Sequence, residues 1–173
     1  MTMTGTRATE RRSGRGRAVR WGLLGVTHLG ALAVGFVLGV YLLPILTAPP
    51  SPDAAALAEG ARDATYRGEL TRDLRGSDFL HWGEGAISVN PARIVHEGRL
   101  SPGPDYKVYL TREFVEHEDE FEPIKADAAL VGDVKTFDGF ILDVPAGIDI
   151  ETYTTVVVWR ESFSEFITAT RYR

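Results

Sequence analysis

The sequence contains no cysteine among its 173 residues. Disulfides, thiolate nucleophiles, cysteine metal ligands and an acylated lipoprotein cysteine are therefore excluded. The sequence also lacks a G-x-S-x-G nucleophile elbow, an H-E-x-x-H zinc motif and a phosphate-binding glycine loop. No short motif therefore indicates an enzyme, and a non-catalytic protein is the favoured interpretation.

Formal charge is absent from residues 21–46, which are almost entirely apolar. An α-helix rises ~1.5 Å per residue, so this segment is longer than the ~30 Å hydrocarbon core of a bilayer. The pattern predicts a transmembrane helix over residues 21–46. The apolar core of a signal peptide is shorter, at ~7–15 residues, although the small residues at 54–58 leave cleavage as an open alternative.

Charge is divided unevenly along the chain. Residues 1–20 contain six of the 19 basic residues but only one of the 24 acidic residues. Arginine-rich flanks stay on the cytoplasmic side of a spanning helix. We therefore expect a single-pass protein of the plasma (inner) membrane, with a cytoplasmic N-terminus and an extracytoplasmic C-terminal domain. Its expected partners are the lipid bilayer along residues 21–46 and a protein at the cell envelope, but no nucleic acid.

Composition predicts three further regions around this helix. Residues 1–20 are polar and aperiodic, which predicts a disordered basic tail. Prolines and alanines in residues 47–64 predict a linker that includes a short helical stalk. Residues 65–173 are numerous enough for one ordinary domain.

The C-terminal domain is predicted to be all-β. It consists of short segments of β-type composition separated by glycine, proline and aspartate, and it has no amphipathic helix of ordinary length. This pattern predicts an antiparallel β-sandwich or a related barrel. The run at 155–159 is nearly all β-branched or aromatic, as in a central buried strand. The candidate strands are residues 65–70, 86–89, 92–100, 106–110, 129–134, 140–144, 154–159 and 165–170.

A glycine- and proline-rich turn and the strand after it, residues 103–110, read GPDYKVYL. This segment resembles the signature GPD-x-x-V-Y-L of the DM-thirteen family, and the resemblance implies an extracellular β module. Further similarities follow in the family's order at Phe79, His81 and Gly85, at 130–135, at 138–145, and at 153–159 followed by Phe163 and Ala169. The resemblance covers residues from about 65 to 173 and implies the β fold and the external location.

One residue departs from the family pattern. The family places a cysteine directly after the tryptophan of its last motif, and its proposed electron-transfer role rests largely on that thiol. Here Arg160 follows Trp159. A guanidinium stays charged and cannot form a disulfide or pass through oxidation states. The substitution argues against inherited thiol chemistry.

Five residues are candidates for a binding site: His81, Gly103, Asp105, Trp159 and Arg160. Arg160 could bind an anionic group, pair with a carboxylate such as that of Glu161 or Glu165, or lie exposed at the strand end. Trp159 belongs to the core or stacks on a ligand. His81 precedes a glycine-rich segment and could be a metal ligand, whereas Gly103 and Asp105 belong to the signature itself.

The acidic segment 112–127 offers a second type of site. Calcium binds carboxylate oxygens, so the segment could hold this ion, although the spacing of an EF-hand is absent. The candidate ligands are Glu116, Glu118, Asp119 and Glu120. The favoured function is a tethered, non-catalytic binding module without a cofactor. The alternatives are a redox accessory domain with a bound cofactor and a calcium-dependent adhesion-like module.

Overall fold

The N-terminal part of the chain is one long helix. The computed structural model describes the backbone of residues 10–173 and the side chains of residues 16–173. Helix α1 spans Glu10–Thr47. Within Gly16–Thr47, its most apolar stretch has a mean hydropathy of 2.3, and none of that stretch is buried. This finding confirms the predicted apolar helix. The helix is long enough to cross a membrane, and a signal sequence would have the same appearance.

Helix α1 begins earlier than the sequence predicted. Residues 10–20 were expected to be disordered but are helical, whereas residues 1–9 of the expected tail lie outside the described residues. Arginine is a strong helix former, and elongating an existing helix costs far less than nucleating one. The chain divides into two units, Met1–Leu42 and Leu43–Arg173, and the second contains the β domain.

The alanine-rich stalk belongs to the β domain and is not a free spacer. Helix α2 spans Ala54–Ala61, and its N-terminus is capped by Asp53, whose carboxylate accepts a hydrogen bond from the Ala56 amide at 2.8 Å. Its buried side chains, Leu57 and Ala61, pack against Val95 of the sheet. The predicted linker 47–64 is therefore reduced to the six residues between α1 and α2.

The β domain consists of two four-stranded sheets in which all strand pairs are antiparallel, which confirms the predicted all-β fold. Each candidate strand corresponds to one observed strand. The first sheet has the order β1-β2-β3-β6 and the second β5-β4-β7-β8. The strands are β1 Tyr66–Leu70, β2 Gly83–Val89, β3 Arg93–Leu100, β4 Tyr106–Thr111, β5 Ala129–Val134, β6 Phe140–Asp143, β7 Thr155–Arg160 and β8 Glu165–Arg171.

The second sheet is buried on both faces, which explains the apolar composition of β7. Val156 and Val158 belong to the core between the sheets, whereas Val157 and Trp159 belong to a second apolar cluster. Alternate residues of a strand point to opposite faces, so the two clusters lie on opposite sides of the sheet. The second cluster includes Phe121 of the short helix α3, Glu118–Phe121. The acidic segment thus supplies part of the core.

Candidate functional site

The side chain of Arg160 lies at the end of β7, against the first residue of β4. Tyr106 is directly opposite Arg160 in the β4–β7 pairing. The Arg160 Nη2 group donates a hydrogen bond to the Tyr106 hydroxyl at 3.2 Å. The guanidinium carbon lies 5.5 Å from the centre of the Tyr106 ring and 5.6 Å from that of Phe163. Both distances are within the range of cation–π attraction.

Gly103 makes room for this contact. A Cβ atom at residue 103 would lie 2.6 Å from Arg160 Nη2 and would overlap the Tyr106 hydroxyl. The nearby Ser101 hydroxyl lies 3.5 Å from the Tyr106 hydroxyl and accepts a hydrogen bond from the Trp82 amide at 3.2 Å. The glycine of the GPD signature is therefore required by packing at the Arg160 side chain.

Asp105 fixes the neighbouring turn. Its φ of 58° is left-handed, a conformation that aspartate tolerates better than most residues. Its carboxylate accepts a hydrogen bond from the Ser162 hydroxyl at 2.5 Å, and its carbonyl accepts one from the Glu161 amide at 3.0 Å. These bonds tie the start of β4 to the residues that follow β7.

The carboxylates adjacent to Arg160 have other partners. Glu161 accepts hydrogen bonds from Lys125 Nζ at 2.5 Å and from the Tyr109 hydroxyl at 2.9 Å. Burial raises the pKa of Glu161, but these two bonds outweigh burial and hold the pKa below its ordinary value. No carboxylate of the described residues lies within 4.0 Å of the Arg160 guanidinium. The expected ion pair with Glu161 or Glu165 is therefore absent there.

Trp159 points away from this group, into the second cluster. It has 0% exposure, and its ring centre is 4.9 Å from that of Phe121. Lys125 Nζ lies 5.6 Å from the Trp159 ring centre. Of the five predicted binding residues, the structure brings Gly103, Asp105 and Arg160 together. It places Trp159 in the interior, where no ligand reaches it in this conformation.

His81 lies in the connection between β1 and β2. Its Nδ1 atom is 3.1 Å from the Asp78 carboxylate, which also accepts hydrogen bonds from the backbone amides of Leu80 and His81. Burial raises the pKa of Asp78, and the donors outweigh it, so the pKa is lowered. The described contacts give His81 a role in the turn and do not link it to Arg160.

Comparison with protein families agrees with this fold. A family model described as Electron transfer DM13 matches residues 76–172, more than half of the chain. The chain belongs to this family. No curated protein and no solved structure matches the chain. The matched residues run from the loop before β2 to the end of β8. The DM13 domain therefore contains Arg160 and the residues described around it, Gly103, Asp105 and Tyr106.

The acidic segment of the DM13 domain is paired with an arginine. Arg75 Nη2 donates to the Asp119 carboxylate at 2.6 Å and to the Glu120 carboxylate at 2.7 Å. The Arg75 bond is the main cause that lowers the pKa of Asp119. Within residues 16–173, no group of three or more His, Asp or Glu side chains is placed to hold a metal ion. Calcium binding at Glu116, Glu118, Asp119 and Glu120 stays a prediction.

His96 is a titratable group that the sequence did not single out. It is fully buried in β3 of the DM13 domain, with its ring 5.1 Å from that of Phe140. Its Nε2 atom lies 3.0 Å from the Glu84 carbonyl oxygen, and a carbonyl only accepts, so Nε2 carries the proton. The buried Nδ1 has no hydrogen-bond partner among the described residues. Burial lowers the pKa of His96, against the opposing effect of the Glu84 bond.

We expect His96 to make the domain sensitive to mild acid. In the unfolded chain, histidine binds a proton at pH ~6.5, whereas folded His96 binds it only at lower pH. The unfolded state therefore binds more protons between these two pKa values, so the free energy of unfolding falls as the pH falls through that window and then levels off. Urea unfolding of the full chain between pH ~7 and ~4 measures this loss.

The matched variant is His96→Gln, whose amide can still donate to the Glu84 carbonyl but cannot titrate. The carboxylates respond to acid in both proteins, so the difference between the two pH profiles isolates His96. Identical profiles would contradict the assignment.

Proposed function

We propose that this chain is a membrane-anchored, non-catalytic DM13 module that binds an anionic group of a ligand or protein partner outside the cytoplasm. One observation carries the proposal: the Arg160 guanidinium is half-buried and held by Tyr106, yet it has no carboxylate partner in the described structure. A charge partly removed from water is costly unless it is paired. A carboxylate, phosphate or sulfate would pair it through charge-assisted hydrogen bonds.

The anchor is supported by the surface of α1. Large apolar side chains are exposed all around this helix, including Leu32 and Phe36. A helix that is apolar on every side is stable in lipid and unfavourable in water. The arginines that precede its apolar segment favour a cytoplasmic N-terminus, and residues 43–173 would then lie outside the cytoplasm.

The second candidate is electron transfer, which the family description favours. This chain has no thiol to oxidise, so such a role would need a bound cofactor or the groups of a partner. Visible absorbance of the full-length protein, purified from its own membrane, would favour this candidate over simple anion binding.

Inorganic phosphate is the probe for the proposed anion site. Thermal unfolding of the full chain in detergent, with phosphate or chloride at equal ionic strength, should show stabilisation by phosphate. Because a hydrogen bond to a charged group contributes about 1.5–3 kcal/mol, Arg160→Gln should weaken the apparent affinity roughly 10- to 100-fold.

Two further variants make this test specific. Arg99→Gln removes a guanidinium that is largely exposed, so it should leave the phosphate response unchanged. Gly103→Ala should reduce the response while keeping every charge, since its methyl group would displace the Arg160 side chain. An equal response to phosphate in the native chain and in Arg160→Gln would refute the site.

A further inference from the structure

The β domain exposes few large apolar side chains, and most of them lie at one end. Among the described residues after α1, these side chains belong to Phe79, Leu80, Leu130 and Phe163. Phe79 and Leu80 lie in the connection that precedes β2, and Phe163 lies in the connection that follows β7. Only Leu130, on β5, lies elsewhere.

Strand register places these connections at the same end. Gly83, the first residue of β2, pairs with Leu100, the last residue of β3. Tyr106, the first residue of β4, pairs with Arg160, the last residue of β7. Val134, the last residue of β5, also pairs with Tyr106. We call this the Arg160 end, formed by the connections 71–82, 101–105, 135–139 and 161–164. The opposite end includes the turn after β6, because Asp143 pairs with Arg93, the first residue of β3.

Phe79 lies exposed on a hydrogen-bonded turn. The Asp78 carboxylate accepts hydrogen bonds from the Leu80 amide at 2.6 Å and the His81 amide at 2.7 Å. This turn presents Phe79 with 92% of its surface exposed, beside Leu80 at 45%. Phe163 is 48% exposed. Exposed large apolar side chains that are grouped at one place on a domain are typical of an interaction surface.

The direction of α2 shows from which side the chain reaches the first sheet. Near the middle of α2, Leu57 lies against Gly139, which precedes Phe140, the partner of His96 in the β3–β6 pairing. Gly60, further along α2, lies against Val95. Thr65, after α2, donates a hydrogen bond to the Val89 carbonyl at the opposite end. Helix α2 therefore runs away from the Arg160 end, and its first residue points towards that end.

The linker before α2 is short. Only six residues separate Thr47 of α1 from Ala54 of α2. Six extended residues span at most about 20 Å, and three of these six are prolines. If α1 spans a bilayer, this short tether keeps the β domain close to the lipid surface, and the chain approaches α2 from the side of the Arg160 end.

We propose that the Arg160 end docks on the lipid bilayer, with the side chains of Phe79, Leu80 and Phe163 in the interfacial region. This inference rests on the anchoring part of the proposed function. The bilayer is favoured over a protein partner because the tether already holds it within reach of these side chains. Aromatic rings at the headgroup level are a common form of membrane contact.

The absence of cysteine makes a direct test simple, because one introduced cysteine carries a label at one site only. The full chain is reconstituted into phosphatidylcholine nanodiscs with an environment-sensitive fluorophore at Phe79→Cys or, separately, at Phe163→Cys. Ala146→Cys is the matched control, since Ala146 is exposed and lies in the turn after β6. We expect labels at residues 79 and 163 to shift to the blue, to lose quenching by aqueous iodide and to gain quenching by lipid-attached nitroxide. The label at residue 146 should show none of these changes.

Two other outcomes would overturn the proposal in different ways. If the chain elutes with the discs but iodide quenches labels at residues 79 and 163 as strongly as at 146, the docking is wrong while the anchor stands. A protein partner would then be the better occupant of this end. If the chain does not elute with the discs, the anchor itself is wrong and the docking falls with it.

Discussion

Replacing Trp159 with alanine is expected to destabilise the DM13 domain by about 3–5 kcal/mol, the usual cost of removing a large buried aromatic side chain. Trp159 has 0% exposure and packs on Phe121, which in turn lies 5.4 Å, centre to centre, from Tyr109. A domain of this size has a free energy of unfolding of about 5–15 kcal/mol, so the loss is a large fraction of the total. Urea unfolding of the full chain in detergent, followed by near-ultraviolet circular dichroism, measures it.

Two variants separate packing from ligand contact at Trp159. Trp159→Phe should cost much less than the alanine variant, since it keeps a ring against Phe121. Trp82→Ala should also cost less, because Trp82 is half-exposed and stacks on the Arg72 guanidinium at 3.3 Å. If Trp159→Ala kept its stability but lost phosphate binding, Trp159 would be a ligand-contacting residue and the core assignment would be wrong.

The strands could be predicted because each one follows from a local pattern in the amino-acid sequence. The β-branched run of β7, and the proline- and glycine-rich turn before β4, appear within a few residues of sequence. The second cluster was harder to predict because Phe121 lies among acidic residues that indicate a solvated loop. The available signal was the helical spacing of Phe121 and Ile124, both of which pack in that cluster.

The site was only partly predictable because its contacts join distant parts of the chain. The family resemblance indicated Gly103 and Asp105 through its signature, and Arg160 through its departure from the family pattern. No local sequence pattern indicates that Arg160 bonds to Tyr106, which is 54 residues away. Nor does one indicate that Glu161 accepts its hydrogen bonds from Lys125 and Tyr109. Such pairs depend on the β4–β7 register, which is set by the whole sandwich. Likewise, the pairing of Arg75 with the acidic segment follows from tertiary packing, and charge counting cannot reveal it.

Replacing Gly85 with alanine is expected to destabilise the domain by about 2–5 kcal/mol, through strain and overlap together. Gly85 has a φ of +113°, which side-chain-bearing residues rarely adopt. It is also directly opposite Gly98 in the β2–β3 pairing, and a methyl group there would overlap the Glu97 carbonyl oxygen. The overlap involves backbone atoms, so a change of side-chain rotamer cannot relieve it. The neighbouring Glu84 carbonyl accepts the His96 hydrogen bond, so the imidazole should be disturbed as well.

Variants of two other glycines separate the contributions of backbone strain and steric overlap to this loss of stability. Gly147 has a φ of +97° but no atom within 4 Å of an added Cβ, so Gly147→Ala should show the cost of backbone strain alone. Gly132 has neither feature, since its nearest atom would be Leu142 Cδ2 at 3.8 Å, and Gly132→Ala should be nearly neutral. Urea unfolding of the three variants should rank the losses as Gly85, then Gly147, then Gly132. A loss at Gly85 no larger than that at Gly147 would mean that β2 and β3 separate easily at this point, which the close pairing of Gly85 and Gly98 argues against.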